Sequence, residues 1–417
     1  MSEANYAVPK LRFPQFTGPW LAKRGSDAFT HSRERGVEGL PIYSVTIESG
    51  MVRRDSLERE IGRNASDEAN LRANKDDIVY NMMRMWQGAV GRAPEDCMVS
   101  PAYVVLSPKP ETSPHFFEHW FKRARSIYWL WAYSYGLTGD RLRLYFRDFA
   151  KVPMHIPLLP EQEKIADFLG DIDQRIVLLQ RRQEALELYK KGSIQRIFSR
   201  VMRFSRDDGS TFPKWEPKKL ADIFDWVATN NLSREMLTED GGEIQNIHYG
   251  DIHGKFAARF RQEEAKAPFI KPGAILEALP ESAFCQAGDV VIADASEDYA
   301  DIGKAIEILE VKSKTLVSGL HTYIARPKPG MLALGFSGYL FQTWQLRKQI
   351  MRIAQGISVL GISKSNLSKL VVNLPRPDEQ RKIADFLSAL DDKVASVALQ
   401  VRQMQALKTA LLQKMFV

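Results

Sequence analysis

A nine-residue motif occurs twice in the sequence and divides the chain into two repeated parts. Residues 161–169 read EQEKIADFL and residues 379–387 read EQRKIADFL, so eight of nine positions agree at a separation of 218 residues. Each copy follows a proline-containing approach and begins a long stretch with helical periodicity. A repeat this long indicates internal duplication. The sequence therefore predicts a variable block, a helix, a second variable block and a second helix.

Apolar residues follow a coiled-coil spacing of alternating fours and threes along both helical stretches. In the first stretch this series is interrupted at Gln183, and Pro160 suits the first turn of a helix. If the two repeated parts share one geometry, the helices pack antiparallel and a pseudo-twofold axis relates the parts; parallel packing would contradict this. The predicted seam consists of Ile165, Leu169, Ile172, Ile176, Leu179 and Leu186, and of Ile383, Leu387, Leu390, Val394, Val397, Val401 and Met404.

The two variable blocks show the same order of local features. A strand candidate at residues 40–50 corresponds to residues 243–254, and the strand-and-loop segment that begins at residue 76 corresponds to the one that begins at residue 288. The aromatic segment 115–135 is predicted to be a packed helix. We therefore predict an α+β protein with two similar domains, at 1–155 and 201–376. Helical regions at 156–200 and 377–417 follow them.

Composition limits the class of protein without deciding its function. With 417 residues, the chain is long enough for two or three domains. No apolar run approaches the roughly 20 residues that span a bilayer. Cys97 and Cys285 match no disulfide framework, and no secretory signal is evident, so we expect a cytoplasmic protein. The net charge of +7 is compatible with a polyanionic partner.

Motifs for catalysis are not found in the sequence. It contains no Asn-Pro-Pro-Tyr or Asp-Pro-Pro-Tyr segment for adenine methylation and no GxxxxGK[ST] phosphate loop. Asp301, Glu310 and Lys312 match a nuclease pattern only loosely, because these residue types are common. Three histidines lack an acid or thiol at ligand spacing, which argues against a metal site. They are His248, His253 and His321.

The sequence resembles the specificity subunit of a type I restriction-modification system over essentially the whole chain. The resemblance is carried by LLPEQEKIADFL and RPDEQRKIADFL at the helix starts. The strand-and-loop segments of both blocks and the segment QGISVLGISKSNL at residues 355–367 also carry it. Asp378 departs from the leucine or proline typical at its position. The resemblance identifies the two blocks as target-recognition domains.

The resemblance implies that each domain reads one half of an asymmetric, bipartite DNA sequence, and that the helices set the unread spacer. It also implies two modification subunits, which methylate adenine with S-adenosylmethionine, and two restriction subunits, which use ATP and Mg²⁺ to translocate and cleave DNA. This chain would then be a non-catalytic subunit without a cofactor of its own, in a bacterial or archaeal cytoplasm. Two alternatives remain open: an autonomous DNA-modifying enzyme and a scaffold that binds protein only.

Candidate DNA-binding residues are polar or aromatic side chains in the strand-to-turn segments and in the loops that follow the central strands. Base edges are read by donors and acceptors, while cations bind phosphate. Trp86 is either a stacking surface or part of the core. The candidates are Tyr43, Ser44, Arg84, Trp86, Gln87 and Arg92 in the first domain, and Asn246, His248, Tyr249, Lys255, Ser296, Glu297, Tyr299 and Lys304 in the second.

The repeated polar face of the helices is the predicted docking surface for the modification subunits, because two equivalent partners need two equivalent surfaces. The alternative is that its polar residues face solvent and that Phe168 and Phe386 pack against their own domains. The predicted partner-binding residues are Glu161, Gln162, Lys164 and Asp167, with their repeats Glu379, Gln380, Lys382 and Asp385.

Overall fold

The computed structural model describes residues 7–56, 67–139, 141–274 and 280–417. The chain divides into two compact units, one comprising Met1–Arg181 and Ala398–Val417 and the other Arg182–Val397. These bounds differ from the sequence-based ones because each unit contains one variable block and a part of both long helices. Among the described residues, no helix combines the length and apolarity needed to span a bilayer.

The first unit is built on two four-stranded sheets and a two-stranded ribbon. The sheet orders are β2-β9-β6-β7 and β4-β3-β8-β5, and the ribbon pairs β1 with β10. The strands are β1 Leu21–Arg24, β2 Phe29–Ser32, β3 Ile42–Thr46, β4 Gly50–Arg53, β5 Leu71–Ala73, β6 Ile78–Asn81, β7 Val90–Arg92, β8 Cys97–Val99, β9 Tyr103–Pro108 and β10 Pro153–Ile156. The helices are α1 Gly25–Ala28, α2 Pro114–Trp120, α3 Ala124–Ala132, α4 Phe146–Phe149 and α5 Leu159–Phe198.

The aromatic segment predicted as one packed helix is two helices, α2 and α3. The chain bends at Arg123, whose backbone is extended (φ −78°, ψ 142°) and whose guanidinium is buried. That guanidinium donates a hydrogen bond to the carbonyl oxygen of Val417, 2.8 Å away. The second helix packs on one face only. Tyr128 and Trp131 on α3 are exposed, and only the opposite face of the helix is buried.

The second unit repeats this plan with three additional strands among the described residues, one in the larger sheet and two in a second ribbon. Its sheet orders are β12-β21-β17-β19-β15 and β13-β16-β14-β20, with ribbons β11-β23 and β18-β22. The strands are β11 Glu216–Lys219, β12 Phe224–Val227, β13 Leu237–Thr238, β14 Gln245–Ile247, β15 Arg259–Arg261, β16 Phe269–Ile270, β17 Val290–Ala293, β18 Ala295–Ser296, β19 Ala305–Glu310, β20 Leu316–Ser318, β21 Thr322–Pro327, β22 Leu360–Gly361 and β23 Val371–Leu374. The helices are α6 Leu220–Ile223, α7 Tyr249–Gly254, α8 Gln262–Ala265, α9 Ser337–Leu340, α10 Trp344–Ile353, α11 Lys364–Ser368 and α12 Pro377–Lys414.

The correspondence between the units extends to strand pairing. In the first unit β3 pairs with β8 in parallel, and in the second β14 pairs with β20 in parallel. The central antiparallel trio β2-β9-β6 corresponds to β12-β21-β17. This confirms the predicted α+β class and the internal repeat.

One ion pair joins the two long helices in each unit, and the two ion pairs are equivalent. In the first unit, Lys408 of α12 donates to Asp173 of α5 at 2.5 Å. In the second unit, Lys190 of α5 forms an ion pair with Asp391 of α12. Asp173 and Asp391 are separated by 218 residues, the offset of the repeated motif, and so are Lys190 and Lys408. Since early α5 pairs with late α12, and late α5 with early α12, the helices run antiparallel as predicted.

The predicted helix seam is largely buried, and each unit buries it against its own domain. Ile165, Leu169 and Ile172 join the core of the first unit with the end of α12, and Ile383 and Leu387 join the core of the second unit. Along the seam, Leu186, Val394 and Met404 are only partly buried. Apolar periodicity is thus sufficient to locate the buried face of these helices.

Candidate nucleic-acid interface

The loop at residues 81–92, here called the first reading loop, forms one wall of an open cleft of about 870 Å³ in the first unit. The short 3₁₀ turn Met85–Gln87 holds it in shape, with the side chain of Met85 buried and Gly88 in the left-handed region (φ 92°). The side chains of Arg84 and Gln87 face solvent in the cleft. Trp86 is half-buried and donates from Nε1 to the carbonyl of Met83 at 3.1 Å.

The opposite wall of this cleft is a short hairpin, described at residues 135–139 and 141–143 and here called the first tip hairpin. Tyr135 and Arg143 exchange two backbone hydrogen bonds of 3.0 and 2.8 Å, and Leu144 donates to the carbonyl of Met82 at the edge of the reading loop. Sequence reasoning missed this hairpin as a site because its arms are too short to show strand periodicity. The glycine at 136, repeated at 356, was the available signal.

The first cleft is strongly basic. Its described lining residues include three exposed arginines, Arg84, Arg141 and Arg143, and no aspartate or glutamate. Aromatic and amide groups lie between them, namely Trp86, Tyr135 and Gln87. Guanidinium groups attract a polyanion, and they offer the paired donors that guanine or phosphate accepts.

A second cleft of about 710 Å³ is lined by both Ser44 and Arg84. It is lined by Ser44 together with the turn between β3 and β4. The structure thus brings Ser44 close to the reading loop. Tyr43 lies beside it but is buried, and its hydroxyl donates to Glu95 at 2.7 Å. Burial and this hydrogen bond raise the pKa of Tyr43 to about 12.

Arg92 is held differently from the other candidates of its loop. Its guanidinium binds Asp76 at 2.7 Å and Glu118 at 3.1 Å. Both carboxylates come from outside the loop, so the sequence spacing gave no indication of them. An arginine with two carboxylate partners has few donors left for a base. The structure therefore favours a structural role for Arg92 over DNA contact.

In the second unit the polar loop at residues 294–304, here called the second reading loop, is joined to an equivalent tip hairpin at residues 355–361. β18 of the loop pairs with β22 of the hairpin. Glu297 and Tyr299 are exposed, and the Tyr299 hydroxyl donates to the carbonyl of Met351 at 2.9 Å. Ser296 is buried, and its hydroxyl is bonded within the loop. Lys304 donates to the carbonyl of His253 at 2.6 Å.

The strand-to-turn candidates of the second unit lie against this loop. The ring of Tyr249 contacts the rings of His248, His253 and His321, at centroid distances of 4.6, 6.1 and 5.4 Å. His253 bonds the carbonyl of Ala295 in the reading loop. Each histidine therefore has a protein partner near the loop, and burial lowers the pKa of His248. Among the described residues, no cluster of His, Cys, Asp or Glu suits a metal.

The side chains of the two remaining second-domain candidates form hydrogen bonds with other groups of the protein. Asn246 is fully buried, and its side-chain oxygen accepts from Asn230 at 2.8 Å. Lys255 is exposed, but it donates to the carbonyl of Lys266 at 2.9 Å and lies 3.4 Å from Glu239. The burial of Asn246, which the sequence alone did not show, argues against the predicted contact with DNA.

Glu161 and Glu379, which were predicted to dock a partner, have carboxylates that are buried in their own units, and this burial argues against such a role. Arg12 donates to both oxygens of Glu161 at 2.7 Å, and Trp20 Nε1 donates to it at 3.3 Å. We call Arg12, Trp20 and Glu161 the first clamp. The second clamp is Arg203, Trp215 and Glu379, with Arg203 at 2.9 Å and Trp215 at 3.0 Å from the carboxylate.

Gln162 and Gln380 are buried beside the clamps and are equally unavailable to a partner. Gln162 accepts from the backbone of Ser113 at 2.9 Å and donates to two carbonyls of its own unit. Gln380 makes the equivalent three bonds, including one from Ala333 at 2.8 Å. These repeated side chains fix each helix start to its own domain, which is why they recur.

The other four predicted partner-binding residues lie at or near the surface. Asp167 and Asp385 are exposed. Lys164 lies 5.8 Å from the ring centroid of Phe13, and Lys382 donates to the carbonyl of Ser205 at 2.9 Å. Phe168 and Phe386 pack edge-on against Phe13 and Phe204 of their own units, each at 5.6 Å. The two aspartates are thus the best exposed members of the repeated face.

Comparison with known proteins shows which family combines two such domains with two such helices. The sequence model of the type I restriction modification DNA specificity domain matches residues 23–188 and 213–403. The chain belongs to this family. Each match includes one variable block and part of the helix that follows it, so the family domain occurs twice.

Individual members of the type I restriction-modification family agree with this assignment. The type I restriction enzyme MjaVIII specificity subunit of Methanocaldococcus jannaschii is 23% identical over 270 residues, which is 62% of this chain and 60% of that protein. The chain therefore matches less than two thirds of that relative. The S subunit structure from M. genitalium has a TM-score of 0.57 at 15% identity, with 99% of both chains covered. The HsdS subunit structure from Thermoanaerobacter tengcongensis has a TM-score of 0.51 at 16% identity, with 100% of this chain and 99% of that chain covered.

Proposed function

We propose that this chain is the DNA-reading subunit of a type I restriction-modification complex, and that its two domains read the two halves of an asymmetric, bipartite site. The observation that carries the proposal is that one fold occurs twice with chemically different reading surfaces. The first cleft has three arginines and no described carboxylate, whereas the second reading loop exposes Glu297 and Asp298. Carboxylates accept from cytosine N4, and guanidinium groups donate to guanine, so the two surfaces suit different bases.

We further propose that the chain does no chemistry itself and holds no cofactor. Its two cysteines are buried, and burial raises the pKa of Cys97 to about 12 and also raises the pKa of Cys285. A thiol with a raised pKa is a poor nucleophile. Two modification subunits with S-adenosylmethionine and two restriction subunits with ATP and Mg²⁺ would supply the reactions. A bacterial or archaeal cytoplasm is the compartment we propose.

Methylation mapping tests the proposed function. The chain is purified with modification subunits, incubated with DNA of random sequence and S-adenosylmethionine, and the methylated adenines are located. We expect one bipartite motif with an unread spacer. Methylation by the chain alone would indicate an autonomous enzyme. No methylation together with no DNA binding would indicate a protein-only scaffold.

We propose that Asp167 and Asp385 contact the modification subunits. We expect the double change Asp167→Lys and Asp385→Lys to weaken binding of the modification subunits at least about tenfold, because a reversed charge at an interface is repulsive. Glu163→Lys is the matched control: Glu163 is exposed one turn away, but the equivalent position in α12 is already Arg381. Analytical ultracentrifugation or titration calorimetry measures assembly. Undiminished assembly of the double variant would rule out this docking surface.

A further inference from the structure

The two tip hairpins, described at residues 135–139 with 141–143 and at residues 355–361, are built alike although their sequences differ. Each is closed by a pair of backbone hydrogen bonds, between Tyr135 and Arg143 in the first and between Gln355 and Gly361 (2.9 and 2.7 Å) in the second. Each turn begins with a glycine. A Cβ at Gly136 would lie 2.2 Å from the carbonyl oxygen of Arg141, and one at Gly356 would lie 2.0 Å from that of Val359. These turns are too tight for any other residue.

An aliphatic residue follows the glycine in both hairpins and projects fully into solvent. Leu137 is 102% exposed and Ile357 is 101% exposed. A single exposed aliphatic side chain is common on protein surfaces and needs no explanation by itself. Two such residues at equivalent tips of diverged domains do need one, because neither contributes to a core. Their positions are therefore explained better by a contact outside the chain.

Both tips are attached directly to a reading loop. In the first unit, Leu137 lines the same cleft as Arg84 and Gln87. In the second unit, the base of the hairpin pairs in register with the loop, Ala295 opposite Gly361 and Ser296 opposite Leu360. Whatever binds the reading loops would therefore meet the tips as well.

The surroundings of the first tip favour DNA over a protein partner. Arg141 and Arg143 flank Leu137 in a cleft whose described lining has no carboxylate, which suits a polyanion. The neighbours of Ile357 are Ser358 and Val359 instead. Two copies of one modification subunit would require two equivalent surfaces, whereas two different half-sites require different ones. The tips differ as the reading loops do.

We infer that Leu137 and Ile357 are specificity-determining residues, each making an apolar contact with the C5 methyl group of a thymine in the major groove of its own half-site. Aliphatic side chains are suited to that methyl group, which is the one apolar feature of a base edge. A tight hairpin is narrow enough to present one side chain to a groove about 12 Å wide. The inference rests on the proposed function, because it assumes that the two domains read two half-sites.

The test uses the chain in complex with its modification subunits and compares Leu137→Ala with Ile357→Ala. We expect methylation mapping to show relaxed preference at a thymine position in one half-site for Leu137→Ala, and in the other half-site for Ile357→Ala. Each variant is the control for the other. Both side chains are fully exposed, so the thermal unfolding midpoint should not change.

A second measurement identifies the atom that is contacted. Replacing the thymine at that position with deoxyuridine removes only the methyl group. It should slow methylation by the wild-type complex about fourfold, the value of one buried methyl group, and should have no further effect on the alanine variant. Unchanged motifs in both variants, equal uracil sensitivity of wild type and variant, or loss of subunit assembly would overturn the inference while leaving the proposed function intact. A wild-type complex without a bipartite motif would overturn both.

Discussion

Replacing Glu161 with alanine is expected to lower the free energy of unfolding of the first unit by about 3–5 kcal/mol, the usual cost of removing one partner of a buried ion pair. The Glu161 side chain is 3% exposed and that of Arg12 is 13% exposed. The hydrogen bond to Glu161 raises the pKa of Arg12. Alanine would leave this guanidinium and the indole N–H of Trp20 without an acceptor in a nearly dry environment.

The equivalent change Glu379→Ala should cost less in the second unit. The side chain of Arg203 is 30% exposed, and its guanidinium also donates to the carbonyls of Phe212 and Pro213. After the change, water and these carbonyls can still satisfy part of its donors. Comparing the two variants separates the effect of desolvation from the effect of the ion pair itself.

Urea unfolding combined with hydrogen exchange assigns each loss of stability to its unit. Asp167→Ala is the matched control, because Asp167 is an exposed carboxylate on the same helix. It should change stability by less than about 0.5 kcal/mol. If Glu161→Ala were no less stable than Asp167→Ala, the clamp would not hold the start of α5 to its domain.

Replacing Arg84 with alanine is expected to reduce methylation of the cognate site about 10- to 100-fold and to relax one base position in one half-site. Arg84 is exposed and lines both clefts of the first unit, and no carboxylate among the described residues forms an ion pair with it. A bidentate arginine contact with guanine contributes about 1–3 kcal/mol of discrimination, which corresponds to this range.

Two controls separate base reading from general charge. Arg92→Ala should lower stability, because it breaks two ion pairs, while the motif stays unchanged. Arg175→Ala removes an exposed arginine of α5 outside the clefts and should change neither. If Arg84→Ala weakened binding equally for all sequences and lowered the salt dependence by about one unit, Arg84 would bind phosphate, and the prediction of base contact would be wrong.

Sequence alone was sufficient for the architecture because the repeat is local and the helix seam is periodic. It was misleading for Glu161 and Gln162, since polar residues at a helix start look like surface residues. The partners of Glu161 are Arg12 and Trp20, up to 149 residues away, and Gln162 accepts from the backbone of Ser113. A usable signal was present: an Arg-Phe pair followed by a tryptophan stands near the start of both blocks, at residues 12–13 and 20 and at residues 203–204 and 215.

The reading residues were predictable only in part for a related reason. Arg84 and Arg92 are equally plausible in the sequence, and they differ only in whether acidic residues from other segments reach them. The segment that forms the second tip hairpin resembles a family segment, but the sequence did not show that Ile357 within it is exposed. Exposure and partner choice depend on tertiary contacts, which periodicity does not encode.

The clamps have a consequence for how such a protein can change over evolutionary time. Each variable block is attached to its helix by apolar packing, and by an arginine, a tryptophan and a few backbone groups that bind one glutamate and one glutamine of the helix. A foreign block that supplies these few polar groups and a similar apolar face could replace the native one while the helix remains as it is. The protein is therefore organised as a constant frame with exchangeable inserts, and a new DNA specificity could arise by transfer of a whole block instead of by many separate mutations.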